Sequence, residues 1–97
     1  MSAPDIRASE IWVRAEDAVT RTVGDELFVA LPGEGSIHTL NAMAAAVWRA
    51  LEEPRTQAEL RALFEAAFPD IEPTRIEADL GALLETLERD GLVKRVP

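Results

Sequence analysis

The 97-residue sequence contains no cysteine and only one histidine. Without cysteine the chain can form no disulfide, offers no thiolate to zinc and has no thiol nucleophile. A single histidine does not make a metal site, and no nucleophile and base stand out as a pair in the sequence. These absences predict a protein that is not an enzyme and that uses no metal and no cofactor.

Long hydrophobic runs are also missing. No apolar stretch approaches the roughly 20 residues that a bilayer-spanning helix needs. The first twelve residues, MSAPDIRASEIW, have neither the basic nor the apolar region of an export signal. We therefore expect a cytoplasmic protein.

Basic residues are scarce relative to acidic ones, with 10 Lys and Arg against 18 Asp and Glu and a net charge of -8. A nucleic-acid-binding protein gains much of its affinity when Lys and Arg release counterions from phosphates. Attachment to an anionic membrane surface likewise needs clustered basic residues. The charge balance predicts that neither nucleic acid nor a membrane is a partner.

The length favours one small domain. A chain of this size buries only roughly 60–65% of its unfolded surface, which allows one modest core and no deep catalytic cleft. Residues 1–10 are polar and lack periodicity, so they predict a flexible arm. Residues 11–97 then form the single domain.

Three β-prone segments follow the arm. Val19 to Val23 and Glu26 to Leu31 alternate apolar and polar residues, and Ser36 to Leu40 is β-prone but less regular. Gly24-Asp25 provides a tight turn between the first two, and Pro32 to Gly35 a longer hairpin loop. These signals predict a three-stranded antiparallel meander.

The apolar period changes from strand to helix after Leu40. Asn41 has a side chain suited to cap a helix, and Pro54 ends the helix that follows. The second helix runs from about Gln57 to Phe68 and opens with a capping box formed by Thr56 and Glu59. The predicted buried positions of these two helices are Ala44, Val47, Trp48 and Leu51 in the first, and Leu60, Leu63, Phe64 and Ala67 in the second.

The last helix is the longest. A second capping box, Thr74 to Glu77, is expected to open it, and Gly91 to end it. Its apolar stripe consists of Ile76, Leu80, Leu83, Leu84 and Leu87, and the tail LVKRV is expected to be extended. Three strands followed by three helices predict an α+β fold of winged helix-turn-helix type.

The order of several short motifs resembles the PqqD family over most of the chain, from about Val13 to Val96. The resemblance rests on Leu40-Asn41, Trp48, Arg55-Thr56, Glu59-Leu60, Leu83-Leu84, Leu87 and Gly91-Leu92, taken in that order. It implies a non-catalytic peptide chaperone, also called a RiPP recognition element. Such domains bind the leader segment of a ribosomally made precursor peptide and present it to a modifying enzyme, often a radical SAM protein.

The resemblance also implies where the peptide binds. The leader is expected to add as a strand to the edge formed by Ser36, Ile37, His38, Thr39 and Leu40. Its apolar side chains are expected to enter a groove beside the last helix, at Ile76, Asp79, Leu80 and Leu83. Glu52-Glu53-Pro54 and Trp48 depart from the pattern of the pyrroloquinoline quinone branch, which favours a different peptide pathway.

Several of these residues have a second interpretation. Ile76, Leu80 and Leu83 fit packing in the core as well as they fit a groove, since a helical stripe is first of all a packing signal. His38 fits an ordinary surface position as well as a peptide contact. The acidic residues of the last helix other than Asp79 fit a solvated face.

Two other functions compete with peptide binding. A winged-helix regulator would place the last helix in the DNA major groove, but residues 72–90 carry two arginines against six acids. A docking module would bind a folded partner through its helices and no peptide.

The open strand edge leads to two further expectations. Because outward-facing amides alternate along a strand, we expect only one of Ile37→Pro and Thr39→Pro to remove a hydrogen bond to the peptide. An open edge also allows a weak homodimer as well as a monomer.

Overall fold

A computed structural model describes residues 10–96 of the chain. The predicted flexible arm lies outside the described residues except for Glu10, which contacts Arg95. The strands are β1 (Ile11–Arg14), β2 (Val19–Val23), β3 (Glu26–Leu31), β4 (Ser36–Leu40), β5 (Arg55–Thr56) and β6 (Val93–Val96). The helices are α1 (Ala42–Ala50), α2 (Gln57–Ala67) and α3 (Pro73–Arg89).

The predicted meander forms a three-stranded antiparallel sheet in the order β2-β3-β4. Gly24 takes φ +61° in the two-residue turn between β2 and β3. Gly35 takes φ +66° at the last position of the four-residue loop between β3 and β4. Glycine adopts this left-handed region without steric cost, so the two loops can reverse the chain tightly.

A second three-stranded sheet, in the order β5-β1-β6, was not predicted as a sheet. The tail was expected to be extended, and in the structure it pairs antiparallel with β1, with Ile11 opposite Val96. β5 is two residues long and places Thr56 opposite Ile11 on the other side of β1. These pairings bring the two ends of the described chain together in one sheet. With two antiparallel sheets and three helices, the predicted α+β class of the fold is confirmed.

The first two helix starts are confirmed. Asn41 Oδ1 accepts a hydrogen bond from the Ala44 N–H at 2.9 Å. Thr56 Oγ1 accepts from the Glu59 N–H at 3.1 Å, while Glu59 Oε1 accepts from the Thr56 N–H at 2.9 Å. The hydrogen bond from the Thr56 backbone lowers the pKa of Glu59. Both helices therefore begin where the sequence places them.

The capping box predicted at Thr74 to Glu77 is wrong. α3 begins at Pro73, and Glu72 takes the N-cap position without a side-chain hydrogen bond. Proline is well suited to the first position of a helix because its φ is already helical and its missing N–H would have no partner there. Thr74 therefore lies inside the first turn instead of capping it.

The buried apolar residues form one cluster between the sheets and the helices. Trp48 and Phe64 are buried in it as predicted, with exposed fractions of 1% and 2%. Leu63 was expected on the buried face of α2 but is 41% exposed, and Ala67 is exposed as well. α2 thus buries a narrower stripe, Leu60 and Phe64, than the sequence indicated.

No helix within residues 10–96 combines the length and the apolarity needed to cross a membrane. The same residues contain no group of three His, Cys, Asp or Glu side chains placed to hold a metal ion.

Candidate functional site

Strand β4 lies at an edge of its sheet, with β3 on one side and no strand on the other in the described part of the chain. The β2 strand forms the opposite edge. An edge strand leaves alternate backbone N–H and C=O groups without partners, and these groups can bind another extended chain.

The register of the sheet shows which groups of β4 point outward. A two-residue hairpin loop closes with a hydrogen-bonded pair, here Val23 and Glu26. Because hydrogen-bonded and non-bonded pairs alternate, Leu27 and Val29 of β3 must direct their backbone groups toward β4. Their partners Leu40 and His38 are therefore bonded inward. The N–H and C=O groups of Ile37 and Thr39 then point to the open edge.

This geometry corrects the expectation that only one of Ile37→Pro and Thr39→Pro would remove a hydrogen bond to the peptide. The two residues are separated by one position, so their backbone groups point in the same direction. Proline at either position removes an outward N–H. The inward-pointing amide between them belongs to His38.

The side chains of β4 alternate between the two faces of the sheet. Leu40 is buried on the inner face, where Ser36 and His38 are half-buried and His38 Nε2 lies 3.3 Å from Ser36 Oγ. Ile37 and Thr39 are exposed on the outer face. A peptide strand added to this edge would meet a polar inner row and a partly apolar outer row.

Helix α3 has two different flanks on either side of its buried stripe. On one flank, Glu77 makes an ion pair with α2 at 3.7 Å and Glu88 makes one with β6 at 2.9 Å. Asp79 and Leu83, four residues apart, are half-buried on the opposite flank. Asp79 and Leu83 therefore reach the surface on that flank.

The loop between β3 and β4 lies close to the end of α3. A Cβ atom at Gly91 would lie 3.3 Å from Glu34 Oε1 and 3.8 Å from Leu31 Cδ1, so the loop and the helix end are close. Gly91 itself takes φ +79°, which a glycine adopts readily after a helix. The loop that leads into β4 therefore lies next to the end of α3.

The predicted groove residues of α3 separate into two groups. Ile76 and Leu80 are fully buried in the core, with no exposed surface. Asp79 and Leu83 are the members that reach the surface, and Asp79 Oδ2 lies 3.6 Å from Arg75 Nε in an exposed ion pair. Ile76 and Leu80 pack in the core beneath Asp79 and Leu83, as the packing interpretation of the stripe predicts.

The sequence interpretation overlooked the outer face of the meander. Val19, Val23 and Ile37 are exposed there, and the half-buried Phe28 and Ala30 lie between them. The run FVAL, residues 28–31, carried the signal, because apolar residues at consecutive strand positions place apolar side chains on both faces. The outer face is therefore largely apolar and borders the open edge, with Arg21 as a charged residue opposite Phe28.

An open strand edge is the feature by which some domains bind an extended peptide, adding it to their sheet as a further strand. Comparisons with known proteins agree with this class of fold. The sequence profile of the family described as Coenzyme PQQ synthesis protein D (PqqD) matches residues 26–93. This range covers more than half of the chain. The chain therefore belongs to the PqqD family.

A solved structure described as TbiB1 in complex with the TbiA(beta) leader peptide has a similar fold. The TM-score is 0.77 at 22% sequence identity, and the superposition covers 84% of this chain and 94% of that one. Comparison with curated protein sequences gives no significant match.

Proposed function

We propose that the chain is a non-catalytic peptide chaperone that binds the leader segment of a ribosomally made precursor peptide. The leader adds as a strand to β4 and is presented to a modifying enzyme, such as a radical SAM protein, in the cytoplasm. The observation that carries the proposal is the open edge of β4, at which Ile37 and Thr39 direct their backbone groups outward. Membership of the PqqD family and the similar fold solved with a leader peptide support it.

Strand addition explains how a small domain binds a peptide without a deep pocket. Main-chain hydrogen bonds to Ile37 and Thr39 provide affinity for any extended chain, and side-chain contacts select among sequences. Leu83 and Asp79 on the flank of α3 offer one apolar and one acidic contact to side chains on the inner side. The domain binds and positions the leader, and the bond-making step belongs to the enzyme.

The proposal predicts a direct binding result. The probe is the amino-terminal half of a short precursor-like reading frame encoded beside the gene of this chain. In a calorimetric titration it should bind one-to-one with a Kd of about 1 μM or tighter. A peptide of the same composition in scrambled order is the control and should bind at least tenfold more weakly. Equal binding of the two peptides would contradict a specific leader site.

The competing DNA-binding function is disfavoured by charge. α3 would be the recognition helix, yet Arg75, one of its two arginines, pairs with Asp79 instead of being free for phosphate. We expect no change in the fluorescence anisotropy of a generic DNA duplex at micromolar protein and low salt. Binding that weakens as salt is added would show that the net charge of -8 is a poor guide here.

A further inference from the structure

The outer face of the meander ends at the open edge with its most exposed apolar side chain. Ile37 is 73% exposed, more than any other large hydrophobic residue described in the structure. It lies opposite Ala30, whose small side chain leaves a shallow apolar depression shared with Phe28 and Val19. A large apolar side chain at an open edge is unfavourable in water and also promotes aggregation of edge strands.

A strand added to β4 would cover Ile37 directly. Side chains that lie opposite each other in neighbouring strands always share a face, and their Cβ atoms are about 4.5–5.5 Å apart. The residue of the added strand that pairs with Ile37 must therefore place its side chain on the outer face. Thr39, two positions along, would have the next outer-face neighbour.

We infer that the leader carries a β-branched or aromatic side chain that lies beside Ile37 on the outer face. This inference rests on the proposed function. This side chain extends the apolar surface of Ile37, Phe28 and Ala30 by one strand. Ile37 is then a residue that determines which leaders are accepted, at a contact separate from the inner flank of α3. The occupant of this part of the outer face is the leader itself.

The β2 edge provides the internal comparison. Val23 lies on the same outer face and is 65% exposed, but it belongs to the strand farthest from β4. The outward backbone groups of β2 are those of Thr20 and Thr22, and Thr20 is engaged through its Oγ1 by Trp48. Threonine keeps β-branching at both positions and puts a hydroxyl in place of a methyl group of Val23 or of the ethyl arm of Ile37. Val23→Thr is therefore the matched control for Ile37→Thr.

To test this, peptides of about ten residues are selected from a random displayed library for binding to the parent protein. The tightest binder is then synthesised with a fluorescent label. Ile37→Thr should weaken its binding by about fivefold, the upper end for a cross-strand pair, while Val23→Thr should leave it within about twofold. Serine scanning of the peptide should find one β-branched or aromatic position whose loss matters in the parent but not in Ile37→Thr. That non-additivity marks the partner of Ile37.

Three outcomes would overturn the inference. Unchanged peptide affinity in Ile37→Thr, together with loss of binding in Thr39→Pro, would refute the Ile37 contact and leave strand addition intact. A selection that gives no peptide sensitive to Thr39→Pro would refute strand addition and the inference with it. If Ile37→Thr changes the sedimentation of the free protein relative to the parent but leaves its peptide affinity unchanged, the surface binds a second copy of the chain instead.

Discussion

Replacing Trp48 by alanine should lower the free energy of unfolding by about 3–5 kcal/mol, the usual cost of removing a large aromatic from a core. Trp48 is 1% exposed, and its Nε1 donates to Thr20 Oγ1 at 2.8 Å. It also contacts Arg14, whose guanidinium carbon lies 4.6 Å from the indole centroid. Small domains are commonly stable by only about 5–15 kcal/mol, so the variant should melt far below the parent.

The measurement is denaturant unfolding followed by circular dichroism. Trp48→Phe is the control, because it keeps an aromatic ring in the core and loses the hydrogen bond to Thr20. It should cost clearly less than the alanine change. A midpoint of Trp48→Ala equal to that of the parent would mean that α1 does not present this face to the core.

Proline at Thr39 should weaken leader binding by about tenfold, and proline at both Ile37 and Thr39 should abolish it. Each substitution removes an N–H that points to the open edge, and a hydrogen bond contributes about 0.5–1.5 kcal/mol. Proline is tolerated on an edge strand when its N–H faces solvent, so the fold should remain. The measurement is calorimetric titration of the leader segment, with circular dichroism to check folding.

Thr22→Pro is the matched control, since it removes an outward N–H from the opposite edge of the same sheet. It should bind the leader like the parent. His38→Pro removes an inward N–H instead and should chiefly destabilise the hairpin of β3 and β4. Parent-like affinity in a folded Thr39→Pro variant would exclude strand addition at β4 and favour a module that binds a folded partner.

Local signals in the sequence predicted the helix starts well where the capping residue acts on its own neighbours. Asn41 and Thr56 both form the predicted bonds with residues three positions along. The same type of signal failed at Thr74, because Pro73 already satisfied the geometry of a helix start. Two adjacent signals competed there, and the sequence pattern alone did not rank them.

The candidate site was predicted only in part. The location of β4 between a hairpin loop and α1 follows from turn and cap residues, all local in sequence. Which backbone groups of Ile37 and Thr39 point outward depends on pairing with β3, and the sequence interpretation assigned it incorrectly. The apolar outer face was missed because the alternating pattern was interpreted with one buried face only.

The sequence by itself determined the α+β class, the three-strand meander, the three helices and the net negative charge, because periodicity, caps, turns and composition are properties of the residues themselves. The tertiary structure decided the second sheet, in which β1 pairs with β5 and β6. It also decided that Ile76 and Leu80 are core while Leu83 and Asp79 reach the surface. A helical stripe shows which residues are apolar, but only packing against α2 and the sheets determines which part of the stripe stays uncovered.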